Sequence, residues 1–300
     1  MERKQFLKSM AFVPLLAAGM GPLLSTAVDL NALDSLTRGF AKSEKTPLIF
    51  IGHGHPMNAL LDNSFTQTLA KIGSNIERPS AIMVISAHWA THGTFVSINP
   101  QPKAIYDFGR IDDRLFHVQY APPGHPDLAK QVIAVAPHHD IKTDFGMGLD
   151  HGAWTVLKHM FPIADVPVFQ MSIDMSQPPA YHFQLASALK QMREKGVLII
   201  ASGNIVHNLR VLDWQNIDAK PFDWAVEFDE LVKAKLSSHD FQALVNYERF
   251  GSISQMAHPT NDHYLPMLYT LGLADKHESV TYLYEGIQYG SASMRCFQIS

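Results

Sequence analysis

Four short apolar runs set what this chain can fold into: Leu48–Ile51, Ala81–Ile85, Val166–Ile173 and Val197–Ala201. Runs of this length, bounded by Gly, Ser or Pro, match strands buried on both faces. Helical spacing separates them. It covers Ser64–Ile72, with Asp62 or Asn63 available as N-cap, and Ala180–Lys195, which is amphipathic along its length. Strands alternating with helices predict an α/β fold: a single domain with a central mostly parallel or mixed sheet flanked by helices. The ligand site of such a sheet is the crevice at the carboxyl ends of its strands.

The chain ahead of these runs reads differently. Arg3-Lys4-Gln5-Phe6-Leu7-Lys8 is a short basic opening, Met10–Leu24 is mostly apolar, and Ser25-Thr26-Ala27 offers small residues for cleavage. That layout is expected of an export signal over residues 1–27. The opening resembles a twin-arginine leader with Lys4 in place of the second arginine, which implies export to the periplasm. A cytoplasmic protein with an amphipathic N-terminal helix, or a membrane tether, is the alternative. Residues 28–45 read as a linker and 46–300 as the folded domain. No other stretch reaches the ~18 apolar residues that a membrane span needs.

Sixteen histidines stand against a single cysteine, Cys296. A disulfide within the chain is therefore impossible, and any metal site must be built from imidazole and carboxylate. Such a set suits iron, zinc or manganese and excludes thiolate zinc ribbons and iron–sulfur clusters. The 24 basic and 28 acidic side chains are well mixed and form no basic stripe, so no nucleic-acid partner is expected.

Three of the four apolar runs are followed closely by a histidine: His53, His88 and His207. One such histidine would be unremarked, but three on comparable strand ends would be brought together by the fold. His53 sits between Gly52 and Gly54, ahead of His55-Pro56, where a tight turn explains the glycines and not the imidazole. His55 is expected beside the site or on the surface. His258 is expected to be a loop residue. Thr260 or Asn261 is placed to cap a helix with His263 in its first turn, though this alone gives His263 no role. His138, His139, His182, His239 and His277 have polar neighbours and are expected to face solvent. Trp154 is expected in the core and His159 on the surface, while Tyr120 and Arg295 are candidates to meet a substrate carboxylate.

The ordered segments His53-Gly54-x-Pro56-Met57-Asn58, Tyr106-Asp107-Phe108-Gly109, Ser86-Ala87-His88-Trp89, Asp150-His151-Gly152-x-Trp154, Ser202-Gly203-Asn204-x-Val206-His207-Asn208-Leu209, Pro259-Thr260-x-x-His263-Tyr264-Leu265-Pro266 and Glu285-Gly286 carry a resemblance. Together they resemble the 4,5-DOPA extradiol dioxygenase-like branch of the class III (LigB-type) ring-cleavage dioxygenases, across nearly all of residues 46–300. The resemblance implies an oxidoreductase that inserts O2 into a small aromatic diol. It implies His53, His88 and His263 as ligands of one divalent metal, with His207 either a further ligand or the acid–base residue. His151 matches another histidine that contacts substrate or oxygen. Protocatechuate-type relatives have glutamate at the His263 position. Fe(II) is the metal expected for this activity, and the all-imidazole set also suits Zn(II). His55 departs from the pattern, since relatives usually carry serine or alanine there. A zinc hydrolase on the same fold is an alternative, without a His-Glu-x-x-His or Gly-x-Ser-x-Gly signature to support it. A non-catalytic metal-binding relative is the other.

Overall fold

The computed structural model describes residues 45–300, so the export signal expected over residues 1–27 and nearly all of the expected linker lie outside the described residues. The strands, numbered in chain order, are β1 (Leu48–Gly52), β2 (Ala81–Thr91), β3 (Thr94–Ser97), β4 (Ile141–Asp144), β5 (Val168–Asp174), β6 (Val197–Gly203), β7 (Val280–Tyr284), β8 (Ile287–Gln288), β9 (Ala292–Ser293) and β10 (Cys296–Ile299). The α-helices are α1 (Ser64–Asn75), α2 (Pro126–Val135), α3 (His151–Met160), α4 (Pro179–Ala188), α5 (Asp223–Ser237), α6 (Phe241–Val245), α7 (Ser252–Ala257) and α8 (Leu265–Leu273). Eight strands form one mixed sheet in the order β4-β3-β5-β2-β6-β1-β10-β7, while β8 and β9 make a separate two-stranded ribbon. The centre, β5-β2-β6-β1, is parallel. β10 closes against β1 in antiparallel fashion.

Successive side chains on a strand point to opposite faces, so a fully apolar strand feeds two cores at once. On β1, Leu48 and Phe50 join a layer with Leu185 of α4, Phe228 of α5 and Leu268 of α8. Ile49 and Ile51 join the opposite layer with Phe65 and Leu69 of α1 and Trp154 of α3. Fully burying each such side chain is worth about 1.5–3 kcal/mol. α8 is buried on every side, which fits its apolar sequence. No helix among the described residues is long and apolar enough to cross a membrane.

Asn63 is the cap of α1: its side chain accepts from the Thr66 N–H, and Thr66 answers by accepting from the Asn63 N–H. Three expectations need correction. The helix expected over Ala180–Lys195 breaks after Ala188 into a tighter 3-10 segment, Lys190–Lys195, which ends on Gly196 at φ 73°. There Arg193 turns inward to pair with Glu278 and the Thr46 carbonyl. β2 does not stop at Ile85: it runs through His88 to Thr91, with an irregular register against β5 between Ile85 and Ala90. His263 lies in the turn before α8, and no side chain caps that helix.

Candidate metal centre

Three neighbouring central strands deliver the site. His53 follows the end of β1, His88 projects from the extension of β2, and His263 is moored to the end of β6. The mooring is a backbone hydrogen bond from the Asn204 N–H to the His263 carbonyl, at 2.9 Å. Gly203 makes this approach possible, because a Cβ there would be driven into the same carbonyl oxygen. Gly54, at φ +63°, takes a left-handed backbone that other L residues rarely adopt, and a Cβ there would press on the Met294 side chain.

The imidazoles converge through their Nε2 atoms, with His88 3.1 Å from His53 and 3.3 Å from His263. Their outer nitrogens are occupied. The Ser202 hydroxyl donates to the Gly152 carbonyl at 2.6 Å, so toward His53 Nδ1, 2.9 Å away, its oxygen is left to accept. His53 therefore carries its proton on Nδ1 and a lone pair on Nε2. The Asp262 carboxylate fixes His263 in the same way by accepting from Nδ1. His88 Nδ1 lies 3.5 Å from Asp107 Oδ2. Three lone pairs at this spacing repel one another unless a cation lies between them. The edge of a tetrahedron with metal–nitrogen bonds of ~2.0–2.1 Å is about 3.3–3.4 Å, close to the separations seen, so the donor set fits a divalent metal. Burial first, then mutual repulsion, pushes His53 and His263 far below the usual imidazole range. Burial likewise brings His88 down to about 3, so all three are neutral donors near pH 7.

Two further histidines close the site. His151, the first residue of α3, is held by Asp107, which accepts from its backbone N–H at 2.9 Å and from Nδ1 at 3.0 Å. Its Nε2 is thereby left as an acceptor. Asp150 caps α3 by accepting from the Ala153 N–H. His207 lies flat on His263, with ring centroids 3.4 Å apart and planes within 7°. A ring stacked face to face on a ligand does not share the point on which the three Nε2 atoms converge. Instead His207 groups with Asp262 and His263. Burial lowers its pKa to about 4, leaving it neutral. A cavity of about 270 Å³ opens above these residues, walled on its apolar side by Phe108, Leu209, Leu212 and Trp214.

The structure thus brings together His53, His88, His151, His207 and His263, all five histidines named from the sequence. His55 also lines the cavity. Other expectations fail. His182 is fully buried beneath Tyr269, whose hydroxyl is 3.0 Å from its Nδ1. His258 does lie in the loop after α7, as expected, but it is buried there with its ring bonded to the Ile205 carbonyl. His159 is half-buried, and its ring pairs with the Asn58 carbonyl at 2.8 Å. Tyr120 and Arg295 are both buried away from the cavity. The Tyr120 hydroxyl is given to the Phe161 carbonyl, and Arg295 is enclosed by Asp229, Glu230 and Glu285. Trp154 is in the core as expected, and His138, His239 and His277 are exposed, whereas His139 is half-buried. Sequence reasoning assigned no role to Ser202, Asp107 or Asp262, the groups that orient the imidazoles. The first two lie in the quoted motifs, which was the available signal.

A family model described as the catalytic LigB subunit of aromatic ring-opening dioxygenase matches residues 46–295. A 4,5-DOPA dioxygenase extradiol of Escherichia coli K12 is 43% identical over 263 residues, covering 86% of this chain and 96% of its own. A protein of the same name from Beta vulgaris is 32% identical, covering 81% and 94%. The crystal structure of an uncharacterized Escherichia coli K12 protein superposes with a TM-score of 0.75 at 41% identity, covering 85% of this chain and 100% of that one.

Proposed function

Because this chain belongs to the LigB family of aromatic ring-opening dioxygenases and is an extradiol ring-cleaving enzyme, we propose that His53, His88 and His263 hold one Fe(II) against which a catechol-type, DOPA-like diol is opened. The observation that carries this reading is the convergence of three Nε2 lone pairs, each with its Nδ1 facing an oxygen. When bound, Fe(II) supplies the redox coupling between diol and O2 that Zn(II), a fit to the same nitrogens, lacks.

The chain's own residues do the rest. Phe108, Leu209 and Leu212 give the cavity an apolar wall against which an aromatic ring can pack with water excluded. A catechol must lose protons to bind as a chelate, and the His207 and His151 imidazoles line the cavity where they can accept them. His207 stacks on His263 rather than joining the group His53, His88 and His263, which supports the acid–base role over that of a fourth ligand. His151 presents Nε2 with its orientation fixed by Asp107. A proton moved by a positioned group is typically worth about 10²–10⁴-fold in rate.

Metal analysis combined with O2 uptake tests the reading. The full chain, loaded anaerobically with Fe(II), is expected to bind one metal and consume O2 with catechols, and the Zn(II)-loaded chain to consume none. His53→Ala and His88→Ala are expected to lose the metal while staying folded. Full metal occupancy in both variants, or no O2 uptake by the Fe(II) form, would overturn it. Residues 1–27 we read as a periplasmic export leader, supported by their basic, apolar and small-residue sequence. Intact mass of native material should show them absent, and a full-length cytoplasmic species would refute export.

A further inference from the structure

One face of the central sheet changes character at its carboxyl edge. Ile82 and Val84 of β2 and Leu198 and Ile200 of β6 share an apolar layer with Trp154 of α3. Two residues further along the same face, both strands carry serine. These are Ser86 and Ser202, register partners and fully buried. Each hydroxyl is given to the start of α3. Ser86 Oγ donates to Asp150 Oδ1 at 2.6 Å, and Ser202 Oγ to the Gly152 carbonyl at 2.6 Å. Gly152 lets the helix come this close, since a Cβ there would stand 2.6 Å from Ser86 Oγ and 3.0 Å from His88 Cδ2.

Ser86 makes a second bond. Its oxygen accepts the His88 N–H at 3.2 Å, within the irregular stretch of β2 between Ile85 and Ala90. Asp150 Oδ1 also accepts the Ala153 N–H at 3.1 Å, which caps α3. One chain of bonds therefore runs from the backbone of His88, through Ser86 and Asp150, to the helix whose first residue is His151. The two rings it joins have centroids 3.7 Å apart. Asp107 turns the His151 ring, but it sits on a loop of its own. How far that ring stands from His88 is left to the bonds that seat α3 on β2. Neither Ser86 nor Asp150 lines the cavity.

We propose that Ser86 and Asp150 are positioning residues of the ring-opening reaction: together they set the distance of His151 from the metal ligand His88, and so whether its Nε2 meets a diol held there. The inference rests on the ring-cleavage reading above. It assigns the pair to turnover rather than to metal retention, because Ser86 bonds the backbone of His88 and leaves its ring nitrogens untouched. A buried hydroxyl-to-carboxylate bond is among the stronger ones available to hold such a spacing.

The Fe(II)-loaded full chain tests this with a catechol and O2. Ser86→Ala is expected to keep its metal and its KM and to lose about 10–100-fold in kcat, the cost of a small misplacement of a reacting group. Asp150→Asn retains an oxygen for both the Ser86 hydroxyl and the Ala153 N–H, and should keep most of the rate. Asp150→Ala should fall as far as Ser86→Ala, and the double variant no further than either alone. Placed on His151→Ala, Ser86→Ala should cost nothing more, since the residue through which it acts is gone. A second measurement needs neither metal nor turnover. In the metal-free full chain the His151 Nδ1–H, bonded to Asp107, should give a ring-proton resonance that is absent from His151→Ala, displaced in Ser86→Ala and unmoved in Asp150→Asn. Should Asp150→Ala fail to fold, Ser86→Ala and Asp150→Asn still decide. Loss of metal or an unchanged kcat in Ser86→Ala, a loss that multiplies with that of His151→Ala, or a resonance indifferent to Ser86 would overturn the proposal. If no catechol consumes O2 while the resonance responds as described, the placement of His151 by this pair stands and the ring-cleavage reading falls.

Discussion

Removing the Ser202 hydroxyl should weaken metal binding without touching a ligand. In Ser202→Ala, His53 loses the acceptor at 2.9 Å that fixes its proton on Nδ1, and the Gly152 carbonyl loses a donor at 2.6 Å. Both bonds are fully buried. Each is worth about 0.5–1.5 kcal/mol net, so the fold should lose roughly 1–3 kcal/mol. The metal pays separately, since His53 is now free to turn or to protonate Nε2, and binding must select the productive form. Loss of such an outer hydrogen bond typically reduces metal affinity about 10–100-fold, or roughly 1.4–2.8 kcal/mol. Competition against a chromophoric chelator at pH 7 reads the affinity, and urea unfolding of the metal-free chain reads the stability. An affinity within twofold of the unaltered protein, in a variant that stays folded, would refute the assignment of Ser202 as the group that orients His53.

His207→Ala should retain most of its metal, bind catechol and lose about 10²–10⁴-fold in turnover, partly recovered at higher pH; metal loss as complete as in His88→Ala would make it a ligand. Gly203→Ala should displace the His263 carbonyl and so lower metal occupancy, read by metal analysis, more than it lowers helix content, read by circular dichroism. Burial lowers the pKa of His182 to about 4, below the 6.5 expected when unfolded, so its contribution is full above pH 6.5 and is lost as pH falls toward 4. Between pH 7 and pH 5 the protein should therefore lose about 2 kcal/mol more than His182→Gln does, measured from urea midpoints at both pH values; equal losses would contradict this.

The apolar runs made the sheet legible because strands buried on both faces leave no room for polar residues, as Leu48–Ile51 and Val197–Ala201 illustrate. The site histidines were legible for a related reason: β1 and β6 end at one edge of the sheet, and β2 passes it. What sequence could not carry was burial of polar side chains. His182, between Tyr181 and Phe183 in the chain, was expected to face solvent but lies under Tyr269, eighty-seven positions away, and Arg295 finds its carboxylates on α5 and just after β7. Asp107 and Ser202 act on histidines in other segments, and such pairing depends on distances that spacing within a motif does not encode. Trp214 likewise meets His55 only once the loop between β6 and α5 has folded back.

The placement of β10 has a consequence for when the metal can enter. β1, which carries His53 at its end, pairs on one side with β10, and Ile51 lies opposite Cys296. At the usual 5–20 residues per second, a ribosome takes about 10–50 s to travel between those two positions. Until then the flank of β1 is open, and Gly52 lacks the Arg295 carbonyl that binds its N–H. A nascent chain therefore emerges with its first imidazole loosely held and its third, His263, still to come. Capture of the metal by all three imidazoles therefore belongs to the finished polypeptide rather than to the chain still being made.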